Sequence, residues 1–434
     1  MPSLGPGPGP DAALASDRVH DVLIVGGGLV GASLAIALEH LQLDVGLVEA
    51  APPGALPAVF DERNLSFAEA TVNALTALGV MQKLRTPGGA IERIHISRRG
   101  DFGRTVLDAA AHGRREFGRV VVARDFGEAL EARLAEMPRL TRYRPVRFVA
   151  LAAGSADAGE RAIRVRDAEA DAGGECVLRT RLLVAADGTR SGVREALGIA
   201  ADEHDYGQAL FVTRLRSARA PDGTAYERLG DDGPTALLPR GDRQYGLIHA
   251  VASGDAAAVA ALDEAAFVAR VQDAFGWRAG RFLGCGARDR YPATRLVARR
   301  TTATRAVLVG NAAQTIHPIG AQGFNLGLRD ALTLAESIAR ARAATPLSDC
   351  GDPDLLDAYA LRRCEDRERT LAFSDQLVKL ATNPSGLLRP LRSAGLFAFD
   401  RLPSVQSLLV GGAMGYRGDV PALCRSAPAG EARR

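Results

Sequence analysis

The stretch Asp21-Val-Leu-Ile-Val-Gly-Gly-Gly-Leu-Val-Gly31 decides the fold of this chain. It begins with a short apolar run of the length that a buried parallel strand needs, and a helical pattern follows as far as Glu39. A second apolar run, Val45–Val48, ends in Glu49, which lies 18 positions beyond Gly31. The order of strand, glycine turn, helix and strand predicts a βαβ unit of about 30 residues.

The glycines Gly26, Gly28 and Gly31 have the GxGxxG spacing of a dinucleotide-binding turn. The first permits a tight turn, the second lets the backbone approach a pyrophosphate, and the third lets the helix pack on the strand. The N–H groups and the dipole of the helix would hold the negative charge. Glu49 would accept hydrogen bonds from both hydroxyls of an adenosine ribose and would repel a 2′-phosphate. The pocket therefore favours FAD or NAD over NADP.

A second polar turn follows the apolar run that ends at Ala185. Asp187 and Gly188 come directly after this strand, and Ser191 and Arg194 have the spacing that begins a helix. The residues alone leave two interpretations open for Asp187: a ligand-binding acid at a strand end, or a cap of the following helix and nothing more.

A third segment, residues 305–330, combines a buried strand, a polar turn at Asn311, a proline-bearing loop and a glycine-rich helix start. The amide of Asn311 could bind the hydroxyls of a sugar-alcohol chain. The helix would begin near Gln322, Gly323 and Asn325, and the dipole at its amino terminus could stabilise an anionic ring. His317 and Pro318 lie in the loop and are the candidate catalytic residues, although His317 is equally well explained as a loop-packing residue.

Elsewhere the pattern predicts alternating helices and strands. Strands are expected at 162–166 and 177–185, and a hairpin pairs 235–239 with 245–251. The expected helices are 63–84, 124–137, 262–275, 325 to about 341 and most of 353–416.

The composition narrows the function further. The chain has 54 basic and 51 acidic residues and a formal charge of +3, which leaves no room for a polybasic surface that would bind nucleic acid. Its five cysteines are scattered singly, and its histidines form no HExxH pair, so we expect neither disulfides nor a metal site. The Gly/Pro-rich start lacks the features of a signal peptide, and we expect a disordered leader over 1–20 and a cytoplasmic location.

The three turns in this order resemble the GxGxxG, DG and GD fingerprints of FAD-dependent aromatic hydroxylases with the para-hydroxybenzoate hydroxylase fold. The resemblance covers residues 21 to about 345, and segments such as Tyr226-Glu-Arg228 and Asp366-Arg-Glu-Arg-Thr370 extend it to about 383. Within that group, residues 311–318 and 322–330 look like the ubiquinone-biosynthesis hydroxylases. The Asn at 311 is typical of the 2-polyprenyl-6-methoxyphenol hydroxylase branch. One departure is Gly320-Ala321, where the family usually has Ala and Gly.

The resemblance implies a reaction and roles for the candidate residues. NADH or NADPH would reduce FAD, and oxygen addition would give the C4a-hydroperoxide that hydroxylates an electron-rich phenol. Asp187 and Arg63 would serve the pyrophosphate and electron-donor region, and Asn311 would bind the ribityl chain. The helix from Asn325 would face the N1–C2 edge of the flavin.

The expected fold is α/β, with a GxGxxG FAD-binding Rossmann-like domain, a sheet-based substrate domain and a helical C-terminal segment. The expected boundaries are 21–204 and 300–345 for the FAD-binding domain, 205–299 for the substrate domain with a further contribution near 91–119, and 346–434 for the helical region.

The substrate that the resemblance implies is a polyprenyl phenol, which lives in the bilayer. Residues 385–412 interleave arginines with leucines and phenylalanines, and they predict weak peripheral contact with the inner membrane, helped by a ubiquinone-biosynthesis complex. The alternative is a helix packed on the FAD domain or on a partner protein. Two alternative functions also remain: a same-fold hydroxylase of another ring position or of a soluble aromatic acid, and a non-catalytic flavin-binding member of the complex.

Overall fold

The computed structural model describes residues 18–153, 159–169, 174–382, 389–402, 406–407, 410–412, 414–416 and 418–425. Arg18 pairs with Asp44 and the first strand begins at Val19, so the last three residues of the expected leader belong to the fold. Residues 1–17, the rest of the expected leader, lie outside the described residues.

The strands are numbered in chain order. They are β1 Val19–Val25, β2 Val45–Val48, β3 Asn64–Ala68, β4 Gly89–Ile91, β5 Arg93–Arg98, β6 Arg104–Asp108, β7 Gly118–Val122, β8 Leu140–Tyr143, β9 Val146–Leu151, β10 Arg161–Asp167, β11 Cys176–Ala185, β12 Ala201–Ser217, β13 Thr224–Gly230, β14 Gly233–Pro239, β15 Tyr245–Ala252, β16 Phe282–Cys285, β17 Asp289–Ala298, β18 Thr302–Ala303, β19 Ala306–Leu308 and β20 Gln314–Thr315.

The helices are α1 Leu29–Leu38, α2 Glu69–Ala77, α3 Ala123–Leu134, α4 Gly192–Ala196, α5 Ala256–Ala260, α6 Glu264–Phe275, α7 Gly323–Ala344, α8 Pro353–Thr382 and α9 Arg389–Arg401, with a short helix at Ala422–Arg425. Single 3-10 turns occupy Glu39–Leu41, Met81–Lys83, Ala110–His112, Ser253–Asp255, Gly310–Ala312 and Ile319–Ala321.

The first sheet has the strand order β18-β19-β11-β1-β2-β8, with β10 and β9 continuing from β11. The strands β19, β11, β1, β2 and β8 run parallel. The middle strand β1 is buried on both faces, because α1 and α7 cover one side and residues from β9 to β11 cover the other. This sheet and its helices form what we call the FAD body.

A second, larger sheet has the order β20-β17-β12-β15-β14-β13-β5-β6, with β16 beside β12. Most of its pairs are antiparallel, but β13 runs parallel to β5, which comes from the 93–98 segment far earlier in the chain. Helix α6 packs on one face of this sheet. The opposite face meets the FAD body and a three-stranded sheet of order β3-β7-β4.

The prediction of a helix over 63–84 was wrong at both ends, because α2 spans only Glu69–Ala77. Residues 64–68 form strand β3, which pairs antiparallel with β7, and α2 starts only at Glu69. Phe67 is fully buried against Phe126 and Phe324. A strand partner from residues 118–122 overrides the local pattern here.

The α/β class with a helical C-terminal part is confirmed. Helix α8 packs along α7, and α9 lies on the edge strand β6 of the large sheet. The chain then returns to α2 through Tyr416 and the short helix Ala422–Arg425. Within the part of the chain that the structure describes, no helix is both long and apolar enough to cross a membrane.

Candidate functional site

Four neighbouring parallel strands end at the same edge of the FAD body. The glycine turn follows β1, Glu49 follows β2, Asp187 follows β11, and Gly310-Asn311 follows β19. Because ligands of open parallel sheets bind outside the carboxyl ends of the strands, this edge is the candidate site. The structure therefore brings together turns that are up to about 280 residues apart in the sequence.

The three glycines of the turn have different steric surroundings. A Cβ at Gly26 would lie 2.5 Å from the Ala186 carbonyl oxygen, and one at Gly31 would lie 1.9 Å from the Gly26 carbonyl oxygen. These two positions tolerate no side chain. At Gly28, which precedes α1, the nearest atom is Val59 Cγ1 at 3.5 Å. The space at Gly28 is open, as a cradle for a pyrophosphate requires.

Glu49 lies beside this cradle. Its Oε2 accepts a hydrogen bond from the Gly27 N–H at 2.8 Å, and its Oε1 accepts one from the Ala51 N–H at 2.7 Å. Each oxygen retains further acceptor capacity, because a carboxylate can accept about four hydrogen bonds. The two backbone contacts fix the carboxylate in a position from which it can bind ribose hydroxyls.

Asp187 uses its carboxylate within the chain. Oδ1 accepts a hydrogen bond from the Ser191 hydroxyl at 2.5 Å, and Oδ2 accepts one from the Val193 N–H at 3.1 Å. Burial raises the pKa of Asp187, and the hydrogen bonds from Ser191 and Val193 oppose that effect. The geometry thus matches the capping interpretation, in which Asp187 orders the start of α4.

Asn311 is exposed at the end of β19, and its side-chain amide has no partner among the described residues. The turn beneath it is held rigidly. The Gly310 N–H donates to Asp330 Oδ2 at 3.2 Å, and a Cβ at Gly327 would lie 2.9 Å from the Gly310 Cα. Helix α7 thus fixes the backbone of the turn. The exposed Asn311 amide remains available to bind a ligand.

Helix α7 begins at Gly323, and Asn325 anchors this end to the small sheet. Its Oδ1 accepts from the Ala68 N–H at 2.9 Å and the Thr71 hydroxyl at 2.7 Å, and its Nδ2 donates to the carbonyls of Ser66 and Ala321. The Asn325 amide is therefore saturated by the protein. Any contribution of this end of α7 to a ligand comes from its backbone N–H groups and dipole.

The loop before α7 contains two consecutive residues with positive φ, Gly320 at 69° and Ala321 at 50°. Gln322 is buried, and its Nε2 donates to the Gly320 carbonyl at 3.1 Å. The exchange of Gly and Ala that the sequence shows at 320–321 therefore leaves an alanine in the left-handed region. The loop accommodates it without abandoning that conformation.

His317 is fully buried, and both of its ring nitrogens are engaged. Nδ1 accepts from the Ile319 N–H at 3.1 Å, which places the proton on Nε2, and Nε2 donates to Gln208 Oε1 at 3.1 Å. Burial lowers the pKa of His317 to about 4. A neutral imidazole with no free lone pair packs the loop and cannot act as a proton acceptor. Its neighbour Pro318 precedes the 3-10 turn of the loop.

Arg63 makes its contacts at the junction with the large sheet. Its guanidinium pairs with Asp61 at 2.7 Å and lies 4.5 Å from the centre of the Tyr291 ring. The Tyr291 hydroxyl donates to the same carboxylate at 2.6 Å. Burial opposes ionisation of Asp61, but the hydrogen bonds from Arg63 and Tyr291 outweigh it and lower the pKa of Asp61. These contacts connect the loop after β2 to β17.

Sequence reasoning missed a buried charge network beneath the Asn311 turn. Arg329 pairs with Asp366 at 2.6 Å, and Arg363 pairs with Asp330 and Asp366 at 2.8 Å each. Asp330 in turn accepts a hydrogen bond from the Gly310 N–H, so α8 is connected through α7 to the Gly310-Asn311 turn. The only trace of this network in the sequence analysis was the similarity of residues 366–370 to the family.

These features fit a bound FAD. The edge offers an open pyrophosphate cradle at Gly28, a fixed carboxylate at Glu49, a free amide at Asn311 and a helix amino terminus at Gly323. The edge thus has suitable groups for the pyrophosphate, a ribose, a hydroxyl-bearing chain and an anionic ring.

Comparisons with known proteins agree with this geometry. Residues 19–374 match the family model of the FAD binding domain. The ubiquinone hydroxylase UbiL of Rhodospirillum rubrum is 33% identical, with 95% of this chain and 94% of that protein covered. The 3-demethoxyubiquinol 3-hydroxylase of Escherichia coli is 29% identical, with 89% and 96% covered.

Among solved structures, p-nitrophenol 4-monooxygenase from Pseudomonas putida is similar in fold, with a TM-score of 0.75, 17% identity, and 92% and 99% of the two chains covered. Full-length similarity, the matching family model and the common fold converge on one conclusion. The chain belongs to the FAD-dependent aromatic hydroxylases, in the family of the ubiquinone hydroxylases.

Proposed function

We propose that this protein hydroxylates the aromatic ring of a polyprenyl phenol in ubiquinone biosynthesis, with NADH or NADPH as the electron donor. The observation that carries the proposal is the 33% identity to a ubiquinone hydroxylase over nearly the whole length of both chains. FAD, when bound, supplies the activation of oxygen.

The residues at the strand ends bind and orient this cofactor. The glycine turn and the amino terminus of α1 hold the pyrophosphate, Glu49 binds the adenosine ribose, and Asn311 binds the ribityl chain. The backbone N–H groups at Gly323 and the dipole of α7 would stabilise negative charge on the flavin ring. Asp187, Asn325 and Arg63 contribute by fixing the loops that surround the cofactor, because their side chains are engaged by the protein.

The direct test is turnover by the purified protein. We expect a yellow protein whose NADH or NADPH oxidation is stimulated by a prenylphenol, and a product that carries one oxygen atom from ¹⁸O₂ by mass spectrometry. Deletion of the gene should lead to accumulation of a quinone precursor that lacks one ring hydroxyl, and its structure identifies the ring position. A protein without FAD contradicts the proposal. FAD binding without stimulated oxidation supports the non-catalytic alternative.

The proposal includes weak, salt-sensitive contact with the membrane surface through α9, helped by partner proteins. One side of α9 is packed on β6, where the Thr105 hydroxyl donates to the Leu396 carbonyl and the Val106 N–H donates to Asp400, both at 2.8 Å. The side chains of Leu391, Phe397 and Leu402 are 67%, 49% and 49% exposed.

An arginine lies beside these exposed side chains: the Arg401 guanidinium is 4.6 Å from the centre of the Phe397 ring. Exposed apolar side chains next to arginine suit the boundary between anionic headgroups and acyl chains. Residues 385–388, 403–405 and 408–409 and the side chains of Arg389 and Arg392, which the sequence pattern over 385–412 also included, lie outside the described residues.

Flotation with anionic vesicles tests this part of the proposal. The double variant Leu391→Gln/Phe397→Gln should float less than the wild type at low salt. The matched control is Leu347→Gln/Leu361→Gln, because these leucines are 84% and 79% exposed in other parts of the chain. Equal flotation of the two double variants would show that α9 does not contact the membrane.

A further inference from the structure

One face of the large sheet is directed at the FAD body. The Gln208 side chain on β12 contacts His317 in the loop before α7, and Leu229 on β13 packs against Ile319 in the same loop. Farther along this face, the Arg240 guanidinium donates to Asn64 Oδ1 at 2.9 Å. The part of the sheet between these contacts therefore lies against the loop before α7.

Glu227 lies on this face. Side chains alternate along β13, and Tyr226 packs on the α6 side against Phe275. Ala225 and Leu229 point the opposite way, toward Leu238 and toward Ile319 respectively. Glu227 therefore projects between them toward the FAD body.

The residues that flank Glu227 in the sheet are apolar, and its partner on β5 is Ile96. Its partner in the register of β14 is Ala236, and Ala236 is opposite Ile248 on β15. Both alanines beside it on this face, Ala225 and Ala236, are buried. A carboxylate surrounded by such residues is the polar group with which a ligand on this part of the sheet can form a hydrogen bond.

The carboxylate itself has no partner among the described residues, and its Oε1 is completely inaccessible. Burial raises the pKa of Glu227 to about 7. The residue as a whole is half-buried, and its backbone strand also borders a cavity on the α6 side that is lined by His95, Tyr226 and Arg228. A buried polar group without a partner is rare and calls for a reason, and a bound ligand supplies one.

We propose that Glu227 binds the hydroxyl of the substrate phenol and accepts its proton as the ring is hydroxylated. This inference rests on the proposed function and adds a catalytic residue to it. Among aromatic substrates it favours a neutral phenol over an aromatic acid, because a second carboxylate would be repelled by Glu227 on an apolar face.

The proton movement balances with the overall reaction. The Glu227 carboxylate takes the phenol proton, and the electron pair left on the phenol oxygen makes the ring carbon beside it more nucleophilic. That carbon forms a bond to one atom of O₂ as the O–O bond breaks, and this atom becomes the new hydroxyl while the other leaves as water. NADH or NADPH supplies two electrons and one proton as hydride, and solvent supplies the other two protons. The ring carbon then loses its hydrogen to solvent as a proton, and Glu227 returns its proton to the phenol oxygen.

Binding of two matched probes tests the contact without turnover. The probes are 2-prenylphenol and its methyl ether, which lacks the hydroxyl proton. We expect the FAD-loaded wild type to bind the phenol about tenfold more tightly than the ether, since a hydrogen bond to a charged group has that effect. Glu227→Leu should bind the two probes equally, and Glu227→Asp should restore part of the preference. The exposed Glu203→Gln on β12 is the control.

Turnover tests the proton transfer. Glu227→Gln should lower the rate of product formation about a hundredfold at saturating phenol and leave the FAD content unchanged. A wild type that does not prefer the phenol, or a Glu227→Leu variant that keeps the full preference, overturns the binding role. Product formation by Glu227→Gln at the wild-type rate overturns the proton transfer. A wild type that prefers the phenol but forms no product counts against the proposed function instead.

Discussion

Ala321 occupies a backbone conformation that usually belongs to glycine. At φ 50° its Cβ crowds the backbone, which costs about 1–2 kcal/mol. Ala321→Gly should therefore raise the free energy of unfolding by roughly 0.5–1 kcal/mol, after the greater freedom of glycine in the unfolded chain is subtracted. Thermal unfolding of both proteins measures the difference.

The control for this variant is Ala341→Gly in α7, which should have the opposite sign and cost about 1 kcal/mol, because glycine weakens a helix interior. If Ala321→Gly were as destabilising as Ala341→Gly, the left-handed conformation at 321 would be wrong.

Gly28 offers a separate test of the cofactor site. A valine there has φ −71° and meets only Val59, so the variant should fold normally, but its side chain would fill the pyrophosphate cradle. We expect Gly28→Val to keep its circular dichroism spectrum and to lose its flavin absorbance. Gly31→Ala should instead destabilise the whole protein, because its Cβ would meet the Gly26 carbonyl. Flavin retained by Gly28→Val would count heavily against the site.

The charge on Glu227 should make stability depend on pH. The folded state raises the pKa of this carboxyl from 4.5 to about 7, so the folded protein binds the proton more tightly than the unfolded chain. The stabilisation is complete below pH 4.5 and is lost as pH rises through about 7. Glu227→Gln should accordingly match the wild type near pH 4.5 and exceed it at pH 8, by up to about 3 kcal/mol. Denaturant unfolding at both pH values checks this, and a constant difference would contradict it.

At the scale of elements, the contact between α7 and α8 depends on buried charges. Asp366 lies between the guanidinium groups of Arg329 and Arg363, and all three side chains are buried. Asp366→Asn leaves two buried cations without this counter-charge and should lower the free energy of unfolding by about 3–5 kcal/mol.

The neighbouring Glu365→Gln is a matched control, because it breaks an exposed ion pair with Arg369 on the same helix. We expect it to change stability by less than about 0.5 kcal/mol. Similar losses from the two variants in denaturant unfolding would show that the buried network has no special role.

Elements whose signals are local could be predicted from the sequence. The βαβ unit follows from the glycine turn and two apolar runs, and the hairpin of β14 and β15 follows from the alternation of its strands. Strand β3 could not be predicted, because its partner β7 comes from residues 118–122 and the local pattern suggests a helix.

The same distinction applies to the candidate site. Gly26, Gly28 and Gly31 can be recognised by their spacing. Asp187 and Asn325 could be identified as candidates from the sequence. The sequence could not show that hydrogen bonds within the protein occupy their side chains. Glu227 was noted only as part of the similarity at Tyr226-Glu-Arg228. An acid in a strand usually faces solvent, and only the tertiary structure reveals that this one is buried.

At the scale of the whole molecule, the last part of the chain closes two cores. Met414 is buried with Ile91 and Leu107, and Val420 and Cys424 are buried in the FAD body. A chain that ends at Gly412 would expose these contacts. Removal of one such side chain typically costs about 2–5 kcal/mol, so we expect a lower unfolding temperature and faster loss of FAD on dilution. An unchanged melting curve would contradict this assembly.

The strand order of the FAD body affects how the protein folds during its synthesis. Strand β1 pairs with β11, and β11 pairs with β19, so neighbours in the sheet are made far apart in time during translation. Contacts this distant in sequence close slowly. The proposed flavin site is complete only after residues 310–330 have left the ribosome. Strand β1 must wait for β11 until residue 185 has been made, and β11 must wait for β19 until residue 308 has been made. We therefore expect newly made chains to depend on chaperones during this interval, and a shortage of flavin to lower the yield of folded protein.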